Sequence, residues 1–299
     1  NINANTSVAI TNDGGQVNVA ALALNAAPLT LTGSLDNQSG DATIAGTITG
    51  NVTLAGDNSA AGDVVTSDAD IGGILDINGG RFIGNDGHVT GQVTNDGGVL
   101  QTNGMTFSTN IQNTSGEVQV IDDTSVAVTN LGGDLTVFSG QTLTGTVTNT
   151  SGQTFNNGTI DGDVNIAAGL LRNNGQLDGG VTLTTATANV EMQSGEIRDL
   201  IENDGGTITA TGGEFASGVQ NDSGSFDVTA NTVTVSGGDV ENDTGDVSVS
   251  SGATLVGNVV QTTGAGSTVN DGIIDGTVTV AIVYRNVDQC WLVVAAQHI

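Results

Sequence analysis

Few side chains in this sequence could carry acid–base chemistry. Hydrolysis of a glycosidic bond needs two carboxylates with separated pKa values, supported by a histidine or a cation. The densest candidate is the pair Asp122 and Asp123, with His88 and Arg81 about two repeats upstream. In a pectin-hydrolase pattern the basic residue follows the histidine, whereas here Arg81 precedes His88. A lyase would call on Lys or Arg to neutralise a uronate and abstract a proton. This chain has no Lys and only Arg81, Arg172, Arg198 and Arg285. The residues therefore predict no catalytic site, with a polysaccharide-cleaving β-helix enzyme, glycosidase or lyase, as the alternative.

Metal and ligand chemistry are equally thin. Asp13, Asp86, Asp96, Asp204, Asp222, Asp243 and Asp271 stand in Asn-, Asp- and Gly-rich turns, where stacking could gather carboxylates around calcium. The twelve-residue calcium loop and the nine-residue glycine-aspartate repeat are both missing, so these aspartates read as solvated turn residues and no cofactor is expected. A single cysteine, Cys290, allows no disulfide within the chain and no zinc ligand pair. Phe82, Phe107, Phe138, Phe155, Phe215 and Phe226 fall in or beside strand positions and are expected in the core. Thr-x-Thr pairs beginning at Thr30, Thr47, Thr142, Thr146, Thr182, Thr207 and Thr232 could form an ice-binding face only if they stacked in one register. Their offsets from the repeat described next differ, which predicts scatter over several faces.

The elements that must position these residues follow from a repeat. An aliphatic residue, a spacer, Asn, two turn residues and Gly recur, as in VTNDGG at 93–98, IQNTSG at 111–116 and VENDTG at 240–245. Short alternating stretches come after, such as EVQV at 117–120, and period-two alternation means a strand with one buried face. The period is about 18 residues, which suits one coil of a solenoid whose strands pair in parallel with their equivalents above and below. At that period the 299 residues make about sixteen coils and a rod roughly 75 Å long. Asn12, Asn37, Asn95, Asn113, Asn130, Asn149, Asn203, Asn221 and Asn242 would then stack at one corner as an amide ladder. Gly15, Gly40, Gly98, Gly116, Gly133, Gly152, Gly206, Gly224 and Gly245 would supply the positive φ that such a corner requires.

Composition agrees with an all-β chain. Hydrophobic residues make up 36% and aromatics 3%, so the core must be built from small aliphatic and β-branched side chains that favour strands. Against four basic residues stand 32 acidic ones, a net charge of −28. Such a surface repels phosphate backbones and anionic lipid and attracts cations, which argues against nucleic acid as a partner. No run approaches the ~18 apolar residues of a membrane span, and the first residues show no basic region followed by an apolar stretch.

The expected fold is a single-domain parallel β-helix over residues 1–280. Its winding is expected to be right-handed, because parallel crossovers overwhelmingly are. The V-x-N-x-x-G turns and Gly-, Asn- and Thr-rich strands resemble the passenger regions of bacterial autotransporter and haemagglutinin-type adhesins. That resemblance implies an extracellular, cell-surface adhesin, fibre or surface-layer scaffold. Its partners would be a host or neighbouring cell surface, carbohydrate, or further copies of itself. The C-terminal membrane barrel of such families has no counterpart in these residues. Residues 281–299 (AIVYRNVDQCWLVVAAQHI) break the texture and read as a terminal cap, a docking segment or a vector-derived tail.

Overall fold

Small β-branched residues in period-two alternation, interrupted every few residues by Gly or Asn, leave no stretch long enough for a helix and many suited to short strands. The computed structural model describes residues 5–19, 29–56, 64–68, 70–263 and 265–280, and every regular element in them is a strand. All strand pairings are parallel. Coils about 18 residues apart wind into a solenoid of about 13 turns, near 60 Å at the usual strand spacing. Sixteen coils were expected from the period alone. Two early coils are longer, with 25 residues between Asn12 and Asn37 and 23 between Asn51 and Ile74, and residues 281–299 with Arg285 and Cys290 lie outside the described ones.

Each regular coil carries three strands. The first face is built from segments such as Val93–Asn95, Ile111–Asn113 and Val128–Asn130, which stack residue on residue. The second comprises Val99–Thr102, Glu117–Val120, Asp134–Val137 and their equivalents. The third is built from segments such as Thr142–Thr144 and Thr159–Asp161. Ile10–Val19 and Leu35–Ile44 run unbroken through the first two faces, joining them into one 27-stranded sheet.

Burial follows the pleat. On the first face the outer residues of each three-residue strand point inward and the middle one outward. Val93, Ile111, Val128, Val147, Val164 and Val181 thus form one column, each at most 1% exposed. Burying one such side chain contributes about 1.5–3 kcal/mol, so a coil that meets no neighbour forfeits most of its stabilisation.

The phenylalanines divide. Phe82, Phe215 and Phe226 are fully buried, the last two meeting edge to face with centroids 5.5 Å apart. Phe107 is partly buried against the core. Phe138 and Phe155 correct the expectation of core packing: Phe138 is 41% exposed, and Phe155 occupies an outward position of the second face beneath Arg172. Phe155 is the outward third residue of Gln153–Asn156, and Phe138 follows directly after inward Val137 at the end of Asp134–Val137.

Candidate functional site

The most organised polar feature is the column of ladder asparagines. Seven close a first-face strand, Asn12 and Asn37 lie within Ile10–Val19 and Leu35–Ile44, and all nine turn inward and are 5% exposed or less. An amide there must be satisfied internally, because an unpartnered buried donor costs about 1–3 kcal/mol. Where the next coil also places an asparagine in the column, Nδ2 donates to its Oδ1: Asn95 to Asn113 at 3.0 Å, Asn113 to Asn130 at 3.0 Å and Asn130 to Asn149 at 3.4 Å. Asn12 donates likewise to Asn37 at 2.6 Å, and Asn203 to Asn221 and Asn221 to Asn242 at 2.8 Å. The same nitrogens also bond turn carbonyls, as in Asn113 to Asp134 at 2.9 Å and Asn149 to Gly152 at 2.8 Å. The amides therefore clamp turn to turn as well as coil to coil.

The column is three ladders separated by aliphatic plugs. Leu54 and Ile77 fill the register between Asn37 and Asn95, and Ile166 and Leu183 that between Asn149 and Asn203. Because donation runs one way, the first member of a ladder lacks a donor above it. Asn95 Oδ1 is consequently buried with no hydrogen-bond partner. Three further members do not follow the repeated phrase: Gln261 extends the last ladder at 2.8 Å, and Asn156 donates to Asn173 at 2.7 Å on the second face. Their signal was inward parity within a strand at coil spacing.

The turn glycines have a different cause from the one expected. Gly15 and Gly40 do take positive φ, at 113° and 81°. Gly98, Gly116, Gly133, Gly152, Gly206, Gly224 and Gly245 do not. Space excludes a side chain at these seven instead. A Cβ on Gly133 would stand 2.5 Å from Asn113 Nδ2 and nearer still to the Gly116 carbonyl, and Gly152 meets Asn130 in the same way. At Gly116, Gly133, Gly152, Gly224 and Gly245 the previous coil's ladder amide occupies the room a methyl group would need, and at Gly98 and Gly206 the plug side chains Ile77 and Leu183 do.

The candidates for chemistry do not converge. Asp122 Oδ1 accepts from the Asp123 amide at 2.9 Å, and Asp123 Oδ1 from the Thr142 amide at 2.8 Å, so both carboxylates shape the turn before the third face. His88 lies on the third face with its ring nitrogens 2.9 Å from Thr106 Oγ1 and 2.7 Å from Ser108 Oγ. Two coils, about 10 Å along the axis, separate it from the aspartates. Arg81 opens a strand of the second face.

The turn aspartates fall into two sets. Asp13, Asp96, Asp204, Asp222 and Asp243 each follow a ladder asparagine, whereas Asp86 and Asp271 lie in the turn after the second face. Asp96 accepts from Ser115 and Asp243 from Thr262, both at 3.0 Å. Among the described residues no three His, Cys, Asp or Glu side chains meet so as to hold a metal ion. The Thr-x-Thr pairs spread over all three faces, with Thr30, Thr47, Thr142 and Thr232 on the third, Thr182 on the first, Thr207 on the second and Thr146 just ahead of Val147–Asn149.

Surface electrostatics are dominated by carboxylates. Arg172 bonds Glu191 at 2.7 Å while its guanidinium lies 5.5 Å over Phe155, and Arg198 bonds Glu196 and Asp178 at 3.0 Å each. Glu117 and Asp134 stack in register along a shallow depression of about 260 Å³ walled by Gly97, Gly98 and Gly116. Partial burial, reinforced by the Glu117 charge, raises the Asp134 pKa above the usual carboxylate value. A second depression of about 330 Å³ lies over Gly180, rimmed by Asp163, Asp199 and Glu202. No helix of the described residues is long and apolar enough to cross a membrane. The sequence matches no protein-family model, no curated protein and no solved structure.

Proposed function

We propose that this chain is a structural and adhesive rod displayed outside a bacterial cell, with no catalytic role. The observation that carries the reading is uniformity: the same core columns run from coil to coil, amide ladders line one of them, and the Asp122 and Asp123 carboxylates are taken up by turn bonds. A solenoid of this kind resists proteolysis because opening one coil exposes the columns of two neighbours. Its net charge of −28 keeps rods apart in solution and disfavours nucleic acid. Right-handed winding is part of the proposal, on the general preference of parallel crossovers. Carbohydrate or protein on a neighbouring cell surface is the expected partner.

The test is binding of the labelled rod to intact cells and arrayed glycans, alongside turnover assays on acidic polysaccharides. Saturable cell binding without turnover supports the proposal. Turnover that is lost in Asp122→Asn or Asp123→Asn would overturn it in favour of an enzyme. A second reading, a filament subunit that joins end to end, draws on the last described coil. Val278 and Val280 are 45% and 48% exposed although Val259 and Gln261, their partners in the same columns, are buried. Concentration-dependent mass that survives deletion of residues 281–299 favours this reading.

A further inference from the structure

Eight asparagines stand in Asn-x-Ser/Thr triplets, the acceptor sequence for N-linked glycan transfer. Asn5, Asn51 and Asn157 are exposed. The other five, Asn37, Asn113, Asn149, Asn221 and Asn242, are ladder members at most 1% exposed. At four of them the hydroxyl two residues on has its own structural cause. Ser115 Oγ donates to the Asp96 carboxylate at 3.0 Å, Ser223 Oγ to the Asp204 carbonyl and Thr244 Oγ to the Asp222 carbonyl at 2.6 Å, and Ser151 Oγ to the Leu131 carbonyl. Asparagine for the ladder and a hydroxyl for the cross-coil bond together reproduce the acceptor triplet.

Transfer at such a site joins Asn Nδ2 to the anomeric carbon of a lipid-pyrophosphate-linked oligosaccharide. The anomeric C–O bond breaks, the lipid pyrophosphate leaves and the amide loses one proton. Each ladder nitrogen needs its protons: Asn113 donates to Asn130 and Asp134, and Asn242 to Gln261, Gly245 and Ser267. A modified amide loses a donor and carries a sugar into a column with no exposed surface. Stacking and modification at these five positions exclude one another.

We infer that the five ladder asparagines are latent glycan acceptors, modifiable only before the coils close, and that the chain folds on a route where no N-glycosyltransferase meets it unfolded. Once stacked, the rod offers a transferase only Asn5, Asn51 and Asn157.

The test compares the full chain made in bacterial cytoplasm with the same chain sent by a cleavable leader through a eukaryotic secretory pathway, with and without tunicamycin to block glycan donor synthesis. Occupancy of each asparagine is read by peptide mass spectrometry and folding by proteinase K half-life. The cytoplasmic and tunicamycin-treated chains are expected to fold. The untreated secretory chain is expected to carry glycan on at least one ladder asparagine and to lose protease half-life tenfold or more. A variant combining Ser39→Ala, Ser115→Ala, Ser151→Ala, Ser223→Ala and Thr244→Ala keeps the asparagines without the acceptor triplets and should recover resistance untreated. If that variant also fails in bacteria, the tunicamycin arm decides. Resistant rods glycosylated on the ladder, untreated resistant rods with all five sites empty, or tunicamycin-treated chains that remain protease-sensitive would each overturn the inference.

Discussion

Replacing Asn130 by aspartate changes one polar group in the middle of a ladder and almost nothing in shape. Asn130 Oδ1 accepts from Asn113 at 3.0 Å, while its Nδ2 donates to Asn149 Oδ1 at 3.4 Å and to the Gln153 carbonyl at 2.9 Å. Asn130→Asp leaves no cavity, keeps the accepted bond and sets a second acceptor against two acceptor oxygens. At neutral pH the carboxylate is buried with one neutral donor and no cation, which costs roughly 3–5 kcal/mol. Protonation restores one donated bond and reduces the cost to roughly the net worth of the other, about 1 kcal/mol.

The new carboxyl's folded pKa therefore lies above its unfolded value near ~3.9. Stability relative to the native sequence is then greatest below that pH and falls as pH rises through the folded pKa. Guanidinium unfolding followed by circular dichroism, run on both proteins from acidic to neutral pH, measures this as a difference of differences. The subtraction removes the titration of the 32 native acids. A pH-independent difference, or equal stability at neutral pH, refutes the reasoning that the ladder amides are buried donors.

Gly133→Ala should destabilise the rod by clearly more than Gly140→Ala, because Gly140 faces open space and suffers only from its φ of 82°, a penalty of about 1–2 kcal/mol; denaturant midpoints compare the two. Leu54→Asn and Ile77→Asn together would link Asn37 to Asn95 through continuous donors and give Asn95 Oδ1 a partner. The double variant is expected to be at least about 1 kcal/mol more stable than the sum of the singles implies, measured by a double-mutant cycle. Glu117→Gln should lower the Asp134 pKa part of the way toward its ordinary value, leaving the share due to burial, as followed by NMR titration. With the folded pKa raised, ionising Asp134 weakens the native coil as pH rises, so the variant should lose less stability across that window.

Much of the fold was legible because it repeats a local rule. Period-two alternation after each Asn-x-x-Gly phrase marks strands such as Glu117–Val120, and the spacing of the phrases shows that strands stack at one coil per repeat. The sequence alone thus determined an all-β chain, the period and which asparagines share a column. Tertiary structure decided what each column means. Gly133 and Gly152 are glycines because the previous coil's Asn113 and Asn130 fill their space, a constraint between residues about 20 apart that no local φ preference reveals. Asn156 and Asn173 form a ladder outside the repeated phrase, and Phe155 faces solvent under Arg172, since parity within a strand depends on where the strand begins. Strand boundaries are settled only when neighbouring coils lock their register, and that lock is a contact between turns of the rod.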